Sequence, residues 1–197
     1  MTIEQLTNML QDNISRPIID TIVNTACEGD IDVNDIFLIM KTTNDDKVRF
    51  HAAWVLQKLF EKDTRLLGAL FIDLLKLFPN LRHMGQKRTL AKIIVVYLEQ
   101  TFKDKNIGIT NEYFKNYDWD PIIESLFDTL IKRDTPPGLK VVCGYGLAYL
   151  SFRYEWIKDE LIYQMQSQLN SQAMITGNNK VNIILSKKSC KTVKYAY

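Results

Sequence analysis

The chain predicts an all-α fold, a right-handed α-α superhelix of about five stacked helical hairpins. Three observations point there. The first is a helical segment written three times: KVRFHAAWVLQKLF at Lys47–Phe60, QKRTLAKIIVVYLE at Gln86–Glu99 and GLKVVCGYGLAYLS at Gly138–Ser151. Placed in register, Arg49, Arg88 and Lys140 coincide, Leu56 meets Val95 and Leu147, and Leu59 meets Leu98 and Leu150. The second is spacing: Leu59 and Leu98 lie 39 residues apart, and a period of about 40 marks stacked two-helix repeats. The third is that no run alternates apolar and polar residues as a half-buried strand does.

Local signals place the elements in order. A short first helix covers Ile3 to Leu10. Pro17 opens a second, where its missing N–H is no loss, and Gly29 ends it. Asp32 to Met40 forms a third, closed by the polar run Thr42 to Asp46. Asp45 and Asp46 then suit the start of the helix carrying the first copy, because the aligned peptide dipoles favour negative charge there. Asp63 opens LLGALFIDLLKLF, which Pro79 terminates, and Gly85 to Phe102 carries the second copy. Leu98 and Leu150 are 52 residues apart rather than 39, so an insertion is expected, most simply Lys103 to Tyr117. Asp118 or Asp120 caps a helix with Pro121 in its first turn, running to Arg133. TPPG (Thr135 to Gly138) stops the chain and restarts it into the third copy. Trp156 to Leu169 makes a ninth helix and, after a break at Gly177, Asn178 to Lys188 a tenth. Residues 1–189 read as a single solenoid domain and 190–197 as a basic tail.

Composition bounds the function. With 197 residues, 46% hydrophobic and 24% charged, the chain has ordinary globular values. The net charge is only +2, unevenly spread: residues 1–46 hold nine acids against Arg16 and Lys41, while Lys180, Lys187, Lys188, Lys191 and Lys194 stand in an acid-free 161–197. Such an asymmetry could favour head-to-tail contacts or a polyanionic partner at the C-terminus; the simpler reading is a solubilising acidic cap and a lysine-rich tail. Cys27, Cys143 and Cys190 are odd in number and isolated, which fits reduced thiols in a cytoplasmic protein. The opening MTIEQLTNMLQDN lacks the basic and apolar parts of a signal peptide. The longest uncharged apolar stretch, Val141 to Phe152, is far short of the roughly 20 residues that cross a membrane.

The VRxxAAxxLxxL pattern at Val48 to Leu59 resembles the second helix of a HEAT repeat, in the wider HEAT and armadillo class of solenoids. The chain is also similar to short bacterial HEAT-like proteins sometimes labelled adenylosuccinate lyase. The GSSxMPxKxN loop of that lyase superfamily is absent, and the chain has no Ser-Ser pair. The resemblance implies a non-catalytic scaffold that binds a protein or peptide. The second helix of each repeat then lines the concave surface, and a recurring basic residue pairs with acids of the adjacent turn.

Each helical residue turns 100°, so Val48, Ala52, Val55, Leu56 and Leu59 form the packed stripe of the first copy. Phe50, Gln57 and Glu61, flanked by Trp54, lie opposite. Their equivalents are Thr89, Ile93, Val96 and Gln100, then Val141, Tyr145, Ala148 and Phe152. The predicted partner-binding strip is therefore Phe50, Trp54, Gln57, Ile93, Val96, Tyr145 and Phe152. An apolar strip of this kind marks an interaction surface for a protein, a peptide or a second copy of the chain, unless superhelical curvature buries it between repeats. The second reading, a nucleic-acid-binding protein similar in fold to the HEAT-like glycosylases of alkylated DNA, fits this strip less well, because phosphate tracking needs clustered Lys and Arg. Arg82, Lys87, Arg88 and Lys92 are the candidate anion site.

No residues converge on catalysis, a cofactor or a metal. His51 and His83 are the two histidines, 32 positions apart, without a Cys or His at ligand spacing. Gly144-Tyr145-Gly146 lacks the strand and further glycines of a phosphate loop, and Asp118 and Asp120 flank Trp119 as capping residues do. Tyr113, Phe114 and Tyr117 give the insertion an aromatic edge that packs onto the side of the solenoid.

Overall fold

The computed structural model describes residues 1–11, 15–68, 70–103 and 114–186, and all regular secondary structure among them is helical. The chain forms two compact units, Met1–Val96 and Tyr97–Tyr197. Most of the insertion and the tail at 190–197 lie outside the described residues.

The first unit contains α1 (Ile3–Gln11), α2 (Arg16–Cys27), α3 (Val33–Thr42), α4 (Asp46–Lys62), α5 (Leu70–Leu77) and the first part of α6 (Met84–Lys103). The starts follow the expected caps. Asp32 accepts the Asn34 N–H at 2.8 Å, and Asp45 accepts those of Lys47 and Val48 at 2.8 and 3.2 Å. Each cap satisfies amide groups that the helix itself leaves unpaired. α4 packs against α1, α2 and α3. Its predicted core stripe, Val48, Ala52, Val55, Leu56 and Leu59, is 0% exposed throughout. Each of the larger aliphatic side chains contributes about 1.5–3 kcal/mol by leaving water.

One predicted helix is interrupted. The segment after Asp63 forms a 3-10 turn at Thr64–Leu67, and α5 begins only at Leu70. Gly68 sits between them with φ of 36°, a conformation outside the helical region that a Cβ disfavours.

The second unit holds the rest of α6 with α7 (Asp120–Ile131), α8 (Pro137–Leu150), α9 (Ile157–Gln166) and α10 (Gln172–Ser186). α8 takes the central place here that α4 takes in the first unit, packing against α7, α9 and α10. Leu139, Cys143, Leu147 and Leu150, its counterpart of the core stripe, are all at most 1% exposed. The expected break at Gly177 is a correction: that residue lies inside α10. A Cβ there would stand 2.4 Å from Val141 Cγ2, so the missing side chain serves the close approach of α10 to α8.

The described end of the insertion packs as its aromatic edge implied. Phe114 is 5% exposed and meets Phe102 edge-on at 5.2 Å, while Trp119, 0% exposed, donates its indole N–H to the Phe114 carbonyl at 3.1 Å. Tyr113 falls outside the described residues.

Candidate functional site

In the first unit the strip begins with Phe50 and Trp54, both half-buried on α4, with stacked rings 6.4 Å apart. The Phe50 ring lies 6.2 Å from His83 and over Gly85, where α6 starts. Gln57 and Ile93, predicted as groove residues, are 3% and 1% exposed and belong to the core. Thr89, the counterpart of Phe50, is buried as well. Val96 is half-buried.

The second unit repeats the pattern with a different covering. Val141 faces Gly177, and Lys180 Nζ sits 4.5 Å from the centre of the Tyr145 ring. The ammonium and the ring face attract one another, so α10 roofs Tyr145. Phe152 packs edge-on against Phe102 at 4.8 Å, and Ala148 is 0% exposed. In each unit adjoining side chains cover part of the predicted strip, His83 meeting Phe50 in the first and Lys180 meeting Tyr145 in the second. Of the seven strip residues, Phe50 and Trp54 are the stacked aromatic pair that retains exposure on α4.

The recurring basic residues have three different fates. Arg49 donates to Asp46 Oδ1 at 3.0 Å and to the Thr43 carbonyl, the expected pairing with the preceding acidic turn. Lys140 is buried, and its ammonium donates to Gln168 Oε1 at 2.6 Å; burial pushes its pKa down. Arg88 is exposed and joins no ion pair among the described residues. A continuous ladder between repeats is therefore absent at this position among the described residues.

The four residues of the candidate anion site do not form one cluster, although Arg88 and Lys92 are near enough to interact. Lys87 lies over the Phe78 ring at 5.3 Å. Burial and the nearby Arg88 charge push the Lys92 pKa down, opposed by Glu61. Arg82 stands elsewhere, in a cleft of about 600 Å³ between the starts of α4 and α6 that also takes in Lys41, Asp46, Arg49, His83 and Gln86. Arg82 precedes α6, and within that helix Arg88 and Lys92, four residues apart, share a face while Lys87 lies off it.

Gln86 is the residue in this cleft that the sequence did not mark. It is 2% exposed, and its Nε2 donates to nothing. An unpaired buried donor costs about 1–3 kcal/mol, and native proteins keep few of them. Its backbone N–H is satisfied by His83 Nδ1 at 3.3 Å, which fixes that ring nitrogen as the acceptor. α6 has no acid in its first turn, so the positive end of its dipole is uncompensated locally.

Glu61, the acid nearest the strip, is already engaged. It accepts from Gln57 Nε2 at 2.5 Å and from Lys58 Nζ at 2.6 Å. Burial raises its pKa, but the hydrogen bonds from Lys58 and Gln57 and the Lys58 and Lys92 charges outweigh this and hold it below 4.5. A carboxyl depressed in the folded state adds stability above its unfolded pKa and loses it as the pH falls through the native value. The melting temperature of the natural chain should therefore drop more on acidification from neutrality than that of Glu61→Gln. Equal losses would mean that this carboxylate adds nothing to the acid limb.

The remaining chemistry-bearing residues are structural. His51 is 7% exposed and its Nδ1 is 2.8 Å from the Leu10 carbonyl, which can only accept, so Nδ1 carries the proton and ties α4 to the end of α1. Cys27 and Cys143 form no disulfide among the described residues, which do not include Cys190. Asp118 accepts the Asp120 N–H at 3.1 Å, at the start of α7. Gly144 and Gly146 lie inside α8. Among the described residues, no cluster of His, Cys, Asp or Glu has a metal-binding arrangement, and no helix is long and apolar enough to cross a membrane.

No curated protein and no solved structure matches the chain. The HEAT repeat domain matches residues 6–108, more than half of the 197. That range contains the first two copies of the repeated segment; the third lies beyond it, on a helix whose packed stripe and central position repeat those of α4. The chain belongs to the HEAT repeat family.

Proposed function

We propose that this chain is a non-catalytic HEAT-repeat scaffold that binds a protein or peptide at the first unit. The observation that supports this most is the stacked, half-buried pair Phe50 and Trp54 beside a cleft carrying Lys41, Arg49 and Arg82 against Asp46. Aromatic side chains supply contact area at low entropic cost, and a flanking positive charge orients an acidic segment. The occupant is an acidic peptide stretch with an apolar side chain next to its acids. A nucleic acid would need a longer basic track; here Glu61 lies within the Lys58, Arg88 and Lys92 group and offsets it. The cytoplasm is the compartment that suits the isolated spacing of Cys27, Cys143 and Cys190 in the sequence.

Trp54→Glu tests the surface. Loss of an aromatic anchor commonly costs about 2 kcal/mol or more of binding, whereas a carboxylate at a solvent-open site costs little stability. The expected result is a protein captured from native cells by the natural chain and lost with Trp54→Glu, whose melting temperature moves by only a few degrees. Collapse of the fold would make Trp54 a core residue, since an unpaired buried carboxylate costs several kcal/mol. Equal capture by both forms would also rule the surface out. A second copy as the occupant would appear in sedimentation as a dimer that Trp54→Glu dissociates.

A further inference from the structure

From the cleft at the start of α6 we infer a binding site for a single oxyanion, a carboxylate or phosphoryl group on a peptide, held by Arg82 and the Gln86 side-chain amide beside the positive end of α6. Three independent features converge on this. The α6 N-terminus carries a partial positive charge that no acid of its own first turn offsets. Arg82 lines the cleft and makes no ion pair among the described residues, whereas Arg49 on the opposite wall is committed to Asp46 and the Thr43 carbonyl. Gln86, also in the lining, buries a donor that has no acceptor. Donors without acceptors, grouped around a helix start, match the acceptor-only chemistry of an ionised oxygen group.

The local charge agrees with that assignment. Lys41, Arg49 and Arg82 face the cleft against Asp46 alone, whose carboxylate is occupied by Arg49 at 3.0 Å. His83 uses Nδ1 as the acceptor for the Gln86 backbone N–H, which leaves Nε2 as the ring's donor. Leu90 and Met40, both buried, add apolar surface to the lining.

This site rests on the proposed scaffold role only for the source of the anion, so the probes are small. The full chain is titrated with sodium phosphate and, separately, sodium acetate, at ionic strength held constant with chloride, while amide resonances are followed by NMR. Saturable shifts are expected at the Gln86 side-chain amide, whose Nε2 has no acceptor among the described residues. Arg82→Ala and Gln86→Met should each weaken the binding by about tenfold, the loss of one charge-assisted hydrogen bond. Arg88→Ala, on the same helix but away from the cleft, should leave it unchanged. Saturation by acetate alone identifies a carboxylate, and by phosphate alone a phosphoryl group; either supports the site. Shifts no larger than those of chloride, or shifts that survive both Arg82→Ala and Gln86→Met, overturn it. Because Gln86→Met removes an unpaired donor and keeps the volume, it folds, and its loss of binding is not a loss of structure. Failure of this titration leaves the Trp54 surface untouched, and failure of Trp54→Glu leaves the anion site untouched.

Discussion

Trp119→Ala is expected to destabilise the second unit by about 3–5 kcal/mol, the range for removing a fully buried large aromatic. Trp119 is 0% exposed and has three rings around it: Tyr97 at 6.1 Å, Phe114 at 5.7 Å and Tyr117 at 5.2 Å. Alanine leaves a cavity among stiff, flat side chains that cannot collapse into it. It also leaves the Phe114 carbonyl without the indole donor at 3.1 Å. Trp119→Phe separates these effects, since it keeps a ring and loses the N–H, and should cost only about 1–2 kcal/mol. Denaturant unfolding of the full chain measures both. A loss below about 1 kcal/mol for Trp119→Ala would mean that the ring cluster does not anchor the described end of the insertion to α6 and α7.

The repeated segment made the helices legible because it carries two signals at once, the 3.6-residue stripe and the register between copies. Val48, Ala52, Val55, Leu56 and Leu59 had to be packed wherever α4 lay, and they are. Caps made the starts legible, with Asp32 and Asp45 satisfying first-turn amides by local geometry alone. Gly68 and Gly177 show where local signals stop. The same residue type interrupts a predicted helix at one site and sits inside a helix at the other. The outcome at Gly177 depends on Val141, far away in sequence, and propensity contains nothing about that neighbour.

The candidate site was less legible for the same reason. Periodicity assigns a residue to a face but does not say what covers that face, so Gln57 and Ile93 were placed in a groove and lie in the core. Tyr145 is roofed by Lys180, a contact between helices that no local pattern encodes. The cationic cleft brings Arg49 on α4 together with Arg82 ahead of α6, while Lys87 lies over Phe78 and Lys92 interacts with Arg88 and Glu61. Gln86 carried no signal at all. A glutamine in a helix is ordinary until its surroundings leave its amide without a partner.

Gly177→Ala is expected to destabilise the chain, against the usual direction of that substitution. In the interior of a helix, alanine gains about 1 kcal/mol over glycine from backbone entropy. At α10 the added Cβ would stand 2.4 Å from Val141 Cγ2, 3.0 Å from Cγ1 and 3.2 Å from Cβ. Val141 cannot swing aside, because a β-branched side chain in a helix has one strongly preferred rotamer. α10 must instead move off α8, and overpacking of this kind costs about 1–3 kcal/mol. With the first contact as close as 2.4 Å the clash outweighs the propensity, for a net loss of up to about 2 kcal/mol. Val141→Ala removes the obstructing methyls, and in that background Gly177→Ala should become neutral or stabilising by up to about 1 kcal/mol. The double-mutant cycle then shows a coupling of about 1 kcal/mol or more between two residues 36 positions apart. If α10 broke at Gly177, or if the two helices stood further apart, the substitutions would add independently and Gly177→Ala would have the same sign in both backgrounds.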